Sequence, residues 1–596
     1  MSARQARNLV EMFEAQAASR GDGVAMLHKR DGRWQAISWK ETARRARDVS
    51  DGLASLGVKP GDRVSILADT CPDWIVADLG ILGAGAITVP VYQSNPAQEV
   101  QYILDDAGVT WVFVDQDQQA AKLREVRSQL DRLAGVIRFA GSPQSDHERT
   151  LADLERAGAE WRKANPRAHA ARVAAISPEV PATYLYTSGT TGNPKGVVLT
   201  QGNWTYVAGA VAEIELVRSD DVVLMFLPMA HSFAKAIEAV WFSVGCQVAF
   251  VESLDRIVEN AGEVRPTVMP SVPRIFEKAF NAVVAKGLAT PGLKGWLFGL
   301  AMSGFEAWAD GKERGLEIRT LGFRLGEKLV FPKLRHLLAE RFGGRMRLFV
   351  SGGAPLSNKV EWFFTLLGFT VREGWGLTET SAATCVNRIE KNKVDTVGPP
   401  VPGTEIRIAE DGEILVKGGG VMKGYYNKPE ATAEVLKDGW LATGDIGEVD
   451  ADGYLKITDR KKDLIKTSGG KYVAPQNLEN ELKTDPLISQ AVVHGDQRKF
   501  CSALITLNVE AARKWAQENG VPDEEPLHTN PRVRLHVQHA IDALNSKLAS
   551  YATIKKFAIL ENDFTQESGE LTPTLKVKRK VVTARYKKIL DGFYED

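Results

Sequence analysis

A loop of small and hydroxyl-bearing residues, residues 186–196 (YTSGTTGNPKG), constrains this chain more than any other feature. It lies between two apolar stretches, residues 183–186 and 197–199, whose aromatic and β-branched content predicts strands. Glycines let a backbone approach a ligand closely, and unpaired amides form a concavity that binds anions. Lys195 adds a cation. The loop therefore predicts a hairpin that holds phosphate groups, and a nucleotide is the first ligand to consider.

The same residues exclude a Walker A loop. That motif reads G-x-x-x-x-G-K-[ST] and joins a strand to a helix. Here Pro194 stands where the second glycine belongs, and Gly196 replaces the hydroxyl residue that would bind magnesium. We expect a helix only later, capped by Thr200 or Asn203. A flexible Gly/Ser/Thr linker would explain the small residues, but not Pro194 and Lys195 between two apolar strands.

The charge balance argues against a nucleic-acid partner. The 596 residues contain 75 basic and 75 acidic side chains, so any phosphate site must be local. Four cysteines are far apart in the sequence: Cys71, Cys246, Cys385 and Cys501. This spacing argues against a disulfide framework or structural zinc and suits a reducing cytosol. We see no signal peptide, and no segment reaches the ~20 apolar residues that span a bilayer.

Alternating helix and strand patterns from residue 24 to about residue 200 predict wound α/β layers with largely parallel sheets. We interpret residues 116–172, which are charged and alanine-rich, as a surface helical excursion. Residues 274–342 are predicted to be helical, and their apolar residues either touch a membrane or an oily ligand or pack on the main body. After Gly398, short β patterns predict a small β-barrel-like subdomain.

A charged stretch, residues 460–463, is interpreted as a hinge. Beyond it lies a compact α+β pattern of about 130 residues, a common size for an independent domain. We therefore predict an α/β protein with a large N-terminal domain, residues 1–459, built of wound α/β subdomains and the small β subdomain. It is hinged to a small, mobile α+β C-terminal domain, residues 460–596.

Five motifs occur in the order that characterises adenylate-forming enzymes, and the chain resembles that family from about residue 24 to its end. They are residues 186–196, LPMAHSF at 227–233, GWGLTE at 374–379, TGDIG at 443–447 and DRKKD at 459–463. The family includes acyl-CoA synthetases, luciferases and the adenylation domains of peptide synthetases. The resemblance implies that ATP and a carboxylic acid give an acyl-adenylate and pyrophosphate, after which a thiol displaces AMP.

The resemblance also assigns residues to the phosphates. The loop would hold the β- and γ-phosphates through Thr187, Ser188, Gly189, Thr190, Thr191 and Lys195. Thr378 would contact the α-phosphate, and Glu379 would bind Mg²⁺, because a carboxylate is a hard oxygen ligand of the kind this ion prefers. Thr378 and Glu379 also suit a helix N-cap and its first-turn acid.

The nucleoside and acyl sides are assigned in the same way. The implied adenosine contacts are Gly352, Gly353, Ala354, Trp375, Gly376, Asp445 and Arg460. Trp375, where family members often have tyrosine, would offer an aromatic face to adenine, and Asp445 would accept hydrogen bonds from the ribose hydroxyls. His231 would lie at the carboxylate end of the pocket, and Phe233 would line the acyl channel.

The C-terminal region carries the adenylation lysine in this family. Residues 571–579 (LTPTLKVKR) match its motif, which selects Lys576, with Lys578 as the competing assignment. A solvated cationic helix or an anionic-lipid patch is the alternative explanation of the basic residues here. The small domain is expected to rotate after adenylation, and Lys466, Gly469 and Gly470 would then line the pantetheine tunnel for CoA.

The motifs most resemble those of long-chain fatty acyl-CoA synthetases, so we expect a fatty acid, ATP, Mg²⁺ and CoA. The alternatives are a fatty acyl-AMP ligase that loads a carrier protein and a non-catalytic nucleotide- or membrane-binding protein. Some long-chain members carry a gating tryptophan after the histidine, whereas this chain has Lys235, so the walls around His231 and Lys235 would decide the acid. We expect a cytoplasmic protein. The sequence leaves open both contact with the inner membrane face and formation of a homodimer.

Overall fold

The computed structural model describes residues 6–187, 193–522, 525–572 and 576–595, and within these ranges the strands form five sheets. In chain order the strands are β1 Val24–Arg30, β2 Arg33–Ser38, β3 Arg63–Leu67, β4 Ile87–Val91, β5 Val109–Val114, β6 Gly135–Arg138, β7 Glu148–Thr150, β8 Pro181–Thr187, β9 Lys195–Thr200, β10 Val222–Met225, β11 Gln247–Phe250, β12 Val268–Ser271, β13 Leu348–Ser351, β14 Val371–Trp375, β15 Cys385–Val386, β16 Glu405–Ile408, β17 Glu413–Lys417, β18 Gly424–Tyr425, β19 Leu436–Lys437, β20 Trp440–Val449, β21 Leu455–Arg460, β22 Ile465–Lys466, β23 Tyr472–Val473, β24 Ile488–His494, β25 Cys501–Leu507 and β26 Ile554–Ile559.

The helices cover the sheets and link their strands. In chain order they are α1 Leu9–Arg20, α2 Trp39–Ser55, α3 Pro72–Gly83, α4 Ala97–Ala107, α5 Asp117–Val126, α6 Leu151–Ala164, α7 Ala168–Ala175, α8 Gln201–Glu213, α9 Ser232–Val244, α10 Ile257–Val264, α11 Pro273–Leu288, α12 Leu293–Glu313, α13 Leu321–Leu329, α14 Phe331–Arg341, α15 Asn358–Leu366, α16 Pro429–Val435, α17 Pro475–Leu482, α18 Val509–Glu518, α19 Pro531–Asn545, α20 Arg579–Arg585 and α21 Lys587–Gly592.

Two eight-stranded sheets form the body of the large domain. One has the order β18-β9-β8-β4-β3-β5-β6-β7 and the other β15-β14-β13-β12-β10-β11-β1-β2. Their central pairs are parallel, and both ends of the second sheet are antiparallel. Parallel strands covered on both faces are apolar throughout, as β4 shows, since all five of its residues are buried. The predicted wound α/β layers are confirmed.

Aromatic side chains pack three helices of the large domain, α1, α2 and α9, against one another. The Phe13 ring of α1 lies 5.3 Å from that of Trp39 on α2 and 5.0 Å from that of Phe242 on α9. Trp241 on α9 completes the cluster, with its ring 5.4 Å from Trp39. Such ring pairs contribute beyond the area they bury. They hold α9 in place, and α9 begins immediately after His231.

Two smaller β structures complete the chain. Strands β16-β17-β20-β19, with β21 paired to β20, form a five-stranded sheet that corresponds to the predicted small β subdomain. Strands β24-β25-β26 form the C-terminal sheet, and helices α17 and α19 pack with it around a separate apolar core. The predicted α/β class, with a large N-terminal part and a small α+β C-terminal part, is confirmed.

Polar contacts connect the C-terminal sheet and its helices to the large domain. Lys547 Nζ lies 3.0 Å from Asp310 Oδ1 on α12, and inside the small domain it lies 3.5 Å from Glu481 Oε1 on α17. Arg274 at the start of α11 donates to Ser489 Oγ across 3.4 Å. The small domain therefore lies over the large one, while the boundary between residues 459 and 460 stays a prediction.

The interpretation of residues 116–172 as a surface helical excursion is confirmed for α5, α6 and most of α7, but it is wrong for the two strands between α5 and α6. Strands β6 and β7 from this segment extend the first sheet beyond β5, and both pairs are parallel. Arg138 at the end of β6 is buried and forms an ion pair with Glu148 on β7 at 3.2 Å. A charged residue within a four-residue strand looks like surface in the sequence, because its partner becomes apparent only after pairing.

The prediction that residues 274–342 are helical is confirmed by α11, α12, α13 and α14. Their inner faces pack together through Phe305, Trp308 and Phe323, and the Trp308 and Phe323 rings stack at 5.3 Å. Within the part of the chain that the structure describes, no helix combines the length and apolar character needed to cross a bilayer.

Candidate active site

A cleft of 3220 Å³ opens where the parallel strands end and is covered by the small domain. Ligands in open α/β sheets bind beyond the carboxyl ends of the strands. The carboxyl ends of β10, β12, β13 and β14 lie at this cleft. The predicted site residues on its wall are Thr187, Lys195, His231, Phe233, Gly353, Ala354, Trp375, Gly376, Thr378, Glu379, Asp445, Arg460 and Lys576. Residues from both predicted domains thus face one space.

The two strands that flank the predicted phosphate loop pair with each other, as the sequence analysis predicted. Strands β8 and β9 pair antiparallel, and Thr187 lies opposite Lys195. Helix α8 follows β9, and Thr200 caps it in a reciprocal box with Asn203. The predicted ligands Ser188, Gly189, Thr190 and Thr191 lie outside the described residues. The two described ends of the loop therefore bring a hydroxyl and an ammonium to the cleft.

The turn that carries Thr378 and Glu379 depends on a glycine. A short 3₁₀ turn, Thr378–Thr380, is followed by Ser381 and Ala382, which both have positive φ. A Cβ on Gly376 would lie 1.7 Å from the Ala382 carbonyl oxygen, so only glycine fits. Thr378 Oγ1 donates to Ser232 Oγ at 3.3 Å, which connects this turn to the start of α9.

Tyr425, which the sequence analysis did not select, connects this turn to the phosphate loop. Its hydroxyl donates to Glu379 Oε1 at 2.8 Å, and Lys195 Nζ lies 5.1 Å from the centre of its ring. Burial and the Glu379 carboxylate raise the pKa of the Tyr425 hydroxyl, so it stays a donor. Tyr425 lies opposite Val197 in the β18–β9 pair, and the Met422 amide donates to the Glu379 carbonyl at 2.8 Å. Tyr425 and Glu379 are therefore each held by more than one contact.

Asp445 and Arg460 also line the cleft, where they meet. They lie opposite each other in the β20–β21 pair, and Arg460 Nε is 3.1 Å from Asp445 Oδ1. The Trp375 indole donates to Asp445 Oδ2 at 2.9 Å. Each carboxylate oxygen can accept a second hydrogen bond, so the buried Asp445 can still receive hydroxyl donors. The indole ring, the carboxylate and the guanidinium form one connected group.

The glycine wall near this group is only partly exposed to the cleft. Gly353 lines it with φ 83°, a conformation that favours glycine, and Ala354 lies beside it. Gly352 is buried behind the wall, where a Cβ would lie 3.4 Å from the Phe233 ring. Phe233 itself faces the cleft. Of this predicted set, Gly352 therefore supports the wall rather than forming its surface.

His231 is a neutral ring at the start of α9. It caps the helix through Nδ1, which accepts the Phe233 amide at 3.1 Å. Because Nδ1 is the acceptor, the ring proton is assigned to Nε2. Burial, together with the nearby positive charge of Lys576, lowers the pKa of the imidazole to about 3. The ring can therefore donate a hydrogen bond from Nε2 but does not carry a charge near neutral pH.

Lys235 does not lie where the sequence analysis placed it. It is buried in α9, with its ammonium paired to Asp78 on α3 and to Glu238. The Trp74 ring lies 5.9 Å from the same nitrogen. It is not among the described residues that line the cleft, so its charge does not face the acid. Lys235 instead pairs with two buried carboxyl groups, those of Asp78 and Glu238.

Lys576 extends into the cleft from the small domain. The Thr572 amide donates to the Lys576 carbonyl at 2.8 Å, and residues 573–575 lie outside the described ranges. Loss of water around the ammonium inside the cleft, together with the positive charge of Arg460, lowers the pKa of Lys576 to about 8. The negative charge of Asp445 opposes this shift. Lys578 donates its amide to the Glu570 carbonyl at 2.7 Å and also lines the cleft.

Three predicted residues are away from this space. Lys466 belongs to the β22–β23 hairpin, where its nitrogen lies 5.5 Å from the Tyr472 ring. Gly469 and Gly470 follow in the same exposed turn, and none of the three lines the cleft in the described part of the chain. The structure therefore brings Lys576 to the cleft but leaves these three residues outside it.

Family comparisons agree with this arrangement. The model of an AMP-binding enzyme matches residues 13–426, and that of the AMP-binding enzyme C-terminal domain matches residues 462–596. The protein belongs to the AMP-binding enzyme family.

Individual relatives make the comparison more specific. The long-chain-fatty-acid–CoA ligase FadD15 of Mycobacterium bovis is 40% identical over 585 residues, which cover 96% of this chain and 95% of that protein. The human long-chain-fatty-acid–CoA ligase ACSBG1 is 31% identical over 622 residues, covering 98% and 85%. The crystal structure of the anthranilate CoA ligase AuaEII with anthranoyl-AMP has a TM-score of 0.75 at 20% identity, covering 99% of this chain and all of that one. The structural match supports the fold alone.

Proposed function

We propose that the protein is an AMP-forming long-chain fatty acid–CoA ligase. The single observation that carries this proposal is the convergence of Lys576, His231 and the Asp445–Arg460 pair on a cleft that the phosphate hairpin also enters. Full-length similarity to relatives named long-chain-fatty-acid–CoA ligases supports the choice of acid and acceptor.

The first step joins a carboxylate to AMP. An oxygen of the fatty acid attacks the α-phosphorus of ATP, the bond to the β-phosphate oxygen breaks, and pyrophosphate leaves. Two anions approach each other, so preorganised donors and cations lower the barrier. The Lys576 ammonium suits a position between the carboxylate and the α-phosphate. The neutral His231 can donate from Nε2 to the carboxylate without adding a second charge beside the lysine.

The phosphates would be held at the other end of the cleft. Thr187 and Lys195, with the loop residues Ser188, Gly189, Thr190 and Thr191 between them, suit the β- and γ-phosphates. Thr378 suits the α-phosphate. Glu379 offers a carboxylate that Tyr425 already orients, and Mg²⁺ typically takes one or two such ligands plus phosphate oxygens. When bound there, Mg²⁺ would neutralise phosphate charge as the bond breaks.

The nucleoside would occupy the wall formed by Trp375 and Asp445. The indole face suits adenine, with Gly353, Ala354 and Gly376 allowing close approach and Gly352 behind them. Asp445 suits the ribose hydroxyls, and Arg460, at the predicted hinge, forms an ion pair with the Asp445 carboxylate. Because Arg460 begins the second predicted domain, the same ion pair would sense rotation of that domain.

The second step uses the CoA thiol, which attacks the acyl carbonyl and expels AMP. Rotation of residues 460–596 about the hinge would remove Lys576 and bring Lys466, Gly469 and Gly470 to the tunnel for pantetheine. Their exposed position on the β22–β23 hairpin leaves them free to form a new contact. We place the reaction in the cytoplasm, with the fatty acid and CoA as partners.

A panel of carboxylic acids tests this function. Purified protein is given ATP, Mg²⁺ and each acid, and pyrophosphate and thioester are measured with and without CoA. We expect palmitate to give pyrophosphate alone in the absence of CoA and palmitoyl-CoA once CoA is added. Pyrophosphate release without thioester formation would refute CoA as the acyl acceptor and favour a carrier protein. Activity confined to short or aromatic acids would refute a long-chain fatty acid as the substrate.

A further inference from the structure

The corner between α11 and α12 exposes large apolar side chains. Leu288 at the end of α11 is 55% exposed, and Leu293 and Trp296 at the start of α12 are 70% and 62% exposed. Leu293 and Trp296 are three positions apart and share the outward face of α12. The opposite face buries Phe298 and Phe305. This helix therefore has an apolar core face and, at its first turn, a second apolar face toward solvent.

The sequence that forms this corner carries charge of one sign. Between Glu277 and Glu306 the sequence has three lysines and no acidic residue, although the whole chain has equal numbers of basic and acidic residues. Two of these lysines, Lys286 and Lys294, are exposed beside the apolar residues. Interfacial surfaces combine tryptophan and leucine at the acyl boundary with lysines that reach the headgroups. Anionic lipid complements this surface in both charge and polarity.

We propose that the α11–α12 corner, formed by Lys286, Leu288, Leu293, Lys294 and Trp296, is a surface that binds an anionic lipid bilayer. A second copy of the chain is a poorer occupant. A two-fold symmetric contact places a patch against itself, so these lysines would face their own copies. A bilayer with anionic headgroups neutralises the lysines and accepts the tryptophan at its interface.

The position of the corner relative to the cleft suits a substrate dissolved in lipid. Helix α11 has 16 residues and therefore spans ~24 Å. Its first turn, with Arg274 and Ile275, lines the cleft, and its last residue, Leu288, belongs to the corner. One helix thus runs from the bilayer surface to the site. Only this substrate argument rests on the proposed function.

Binding at this corner leaves the small domain free to move. The contact between α12 and that domain, Asp310 with Lys547, lies 17 positions beyond Leu293 along the helix, or ~25 Å away. The protein can therefore stay on the membrane through both half-reactions.

Flotation with vesicles tests the surface. The full-length protein is mixed with vesicles of phosphatidylcholine or of equal parts phosphatidylcholine and phosphatidylglycerol. We expect binding to the anionic vesicles that weakens with salt, and a loss of about tenfold for Trp296→Ala. We expect Lys294→Glu to lose at least as much, since it reverses a charge at the surface. Two matched controls change side chains that are exposed elsewhere on the protein. Leu535→Ser is the control for Leu293→Ser, and Lys59→Glu is the control for Lys294→Glu. Both control variants should bind the vesicles as the wild type does.

Two results would overturn the proposal. One is equal flotation of wild type, Trp296→Ala and Lys294→Glu. The other is a dimer of the wild type that becomes a monomer with Trp296→Ala, because the surface would then bind a second copy. Pyrophosphate release from palmitate carried on albumin, without vesicles, should be the same in all variants. Absence of that activity in the wild type would count against the ligase function and leave the vesicle result to be judged separately.

Discussion

Replacing Tyr425 by phenylalanine isolates one hydrogen bond in the site. The variant keeps the ring beside Lys195 and removes the hydroxyl that donates to Glu379 Oε1 at 2.8 Å. A hydrogen bond to a charged group contributes ~1.5–3 kcal/mol. Because Tyr425 lines a wide cleft, water can replace the hydroxyl, so we expect the lower end of that range, or about a tenfold loss.

The loss should fall on one half-reaction. Glu379 is proposed to act during adenylation, so the kcat/KM for pyrophosphate release from palmitate should fall, and more Mg²⁺ should be needed for half-maximal rate. Thioester formation from preformed palmitoyl-AMP and CoA should stay near the wild-type rate. Tyr425→Leu also removes the ring from the Lys195 ammonium and should lose a further severalfold in pyrophosphate release.

A neighbouring tyrosine provides the control. Tyr426 packs its ring against Tyr184 at 4.6 Å, so Tyr426→Phe tests the loss of a hydroxyl one position away. It should leave both half-reactions unchanged. Equal loss in both half-reactions for Tyr425→Phe, or an unchanged Mg²⁺ requirement, would refute the idea that Tyr425 orients Glu379.

Three further perturbations have definite expected outcomes. Gly376→Ala should abolish pyrophosphate release, because its Cβ would lie 1.7 Å from the Ala382 carbonyl oxygen in the turn that carries Thr378 and Glu379, and circular dichroism should show a retained fold. Lys235→Met should lower the free energy of unfolding by ~3–5 kcal/mol in urea titrations, since it leaves buried carboxylates unpaired. Burial raises the pKa of Glu238, so this loss should grow as pH rises and ionises that carboxyl. The wild-type kcat/KM for pyrophosphate release should fall above about pH 8, where free Lys576 loses its proton, and a flat profile there would contradict its role.

Local patterns predicted the parts of the fold that depend on neighbouring residues. The hairpin of β8 and β9 followed from apolar runs on both sides of a small-residue loop, and Thr200 was recognised as a cap. Motif order assigned the site, and residues as distant as Asp445 and Lys576 do face one cleft. Sequence order alone was enough there because each residue stands in a recognisable motif.

The parts that failed depend on partners far away in the chain. Lys235 looked like a pocket residue because it follows His231, but its partner Asp78 lies 157 positions earlier. Tyr425 carries no local signal, since its link to Glu379 arises from the pairing of β18 with β9. Residues 116–172 looked like surface because they are charged, but Arg138 of this segment is buried and pairs with Glu148 on β7. In each case a charge or hydroxyl found its partner only through tertiary structure.

The most direct test of the account compares Lys576→Ala with Lys578→Ala. The two lysines are two residues apart, and both line the cleft, and the positive charge of Lys576 contributes to lowering the pKa of the His231 ring. Pyrophosphate release from palmitate and ATP is measured beside palmitoyl-CoA formation from preformed palmitoyl-AMP. We expect Lys576→Ala to lose nearly all pyrophosphate release while keeping the thioester step, and Lys578→Ala to keep both. Normal pyrophosphate release by Lys576→Ala would contradict the proposed site.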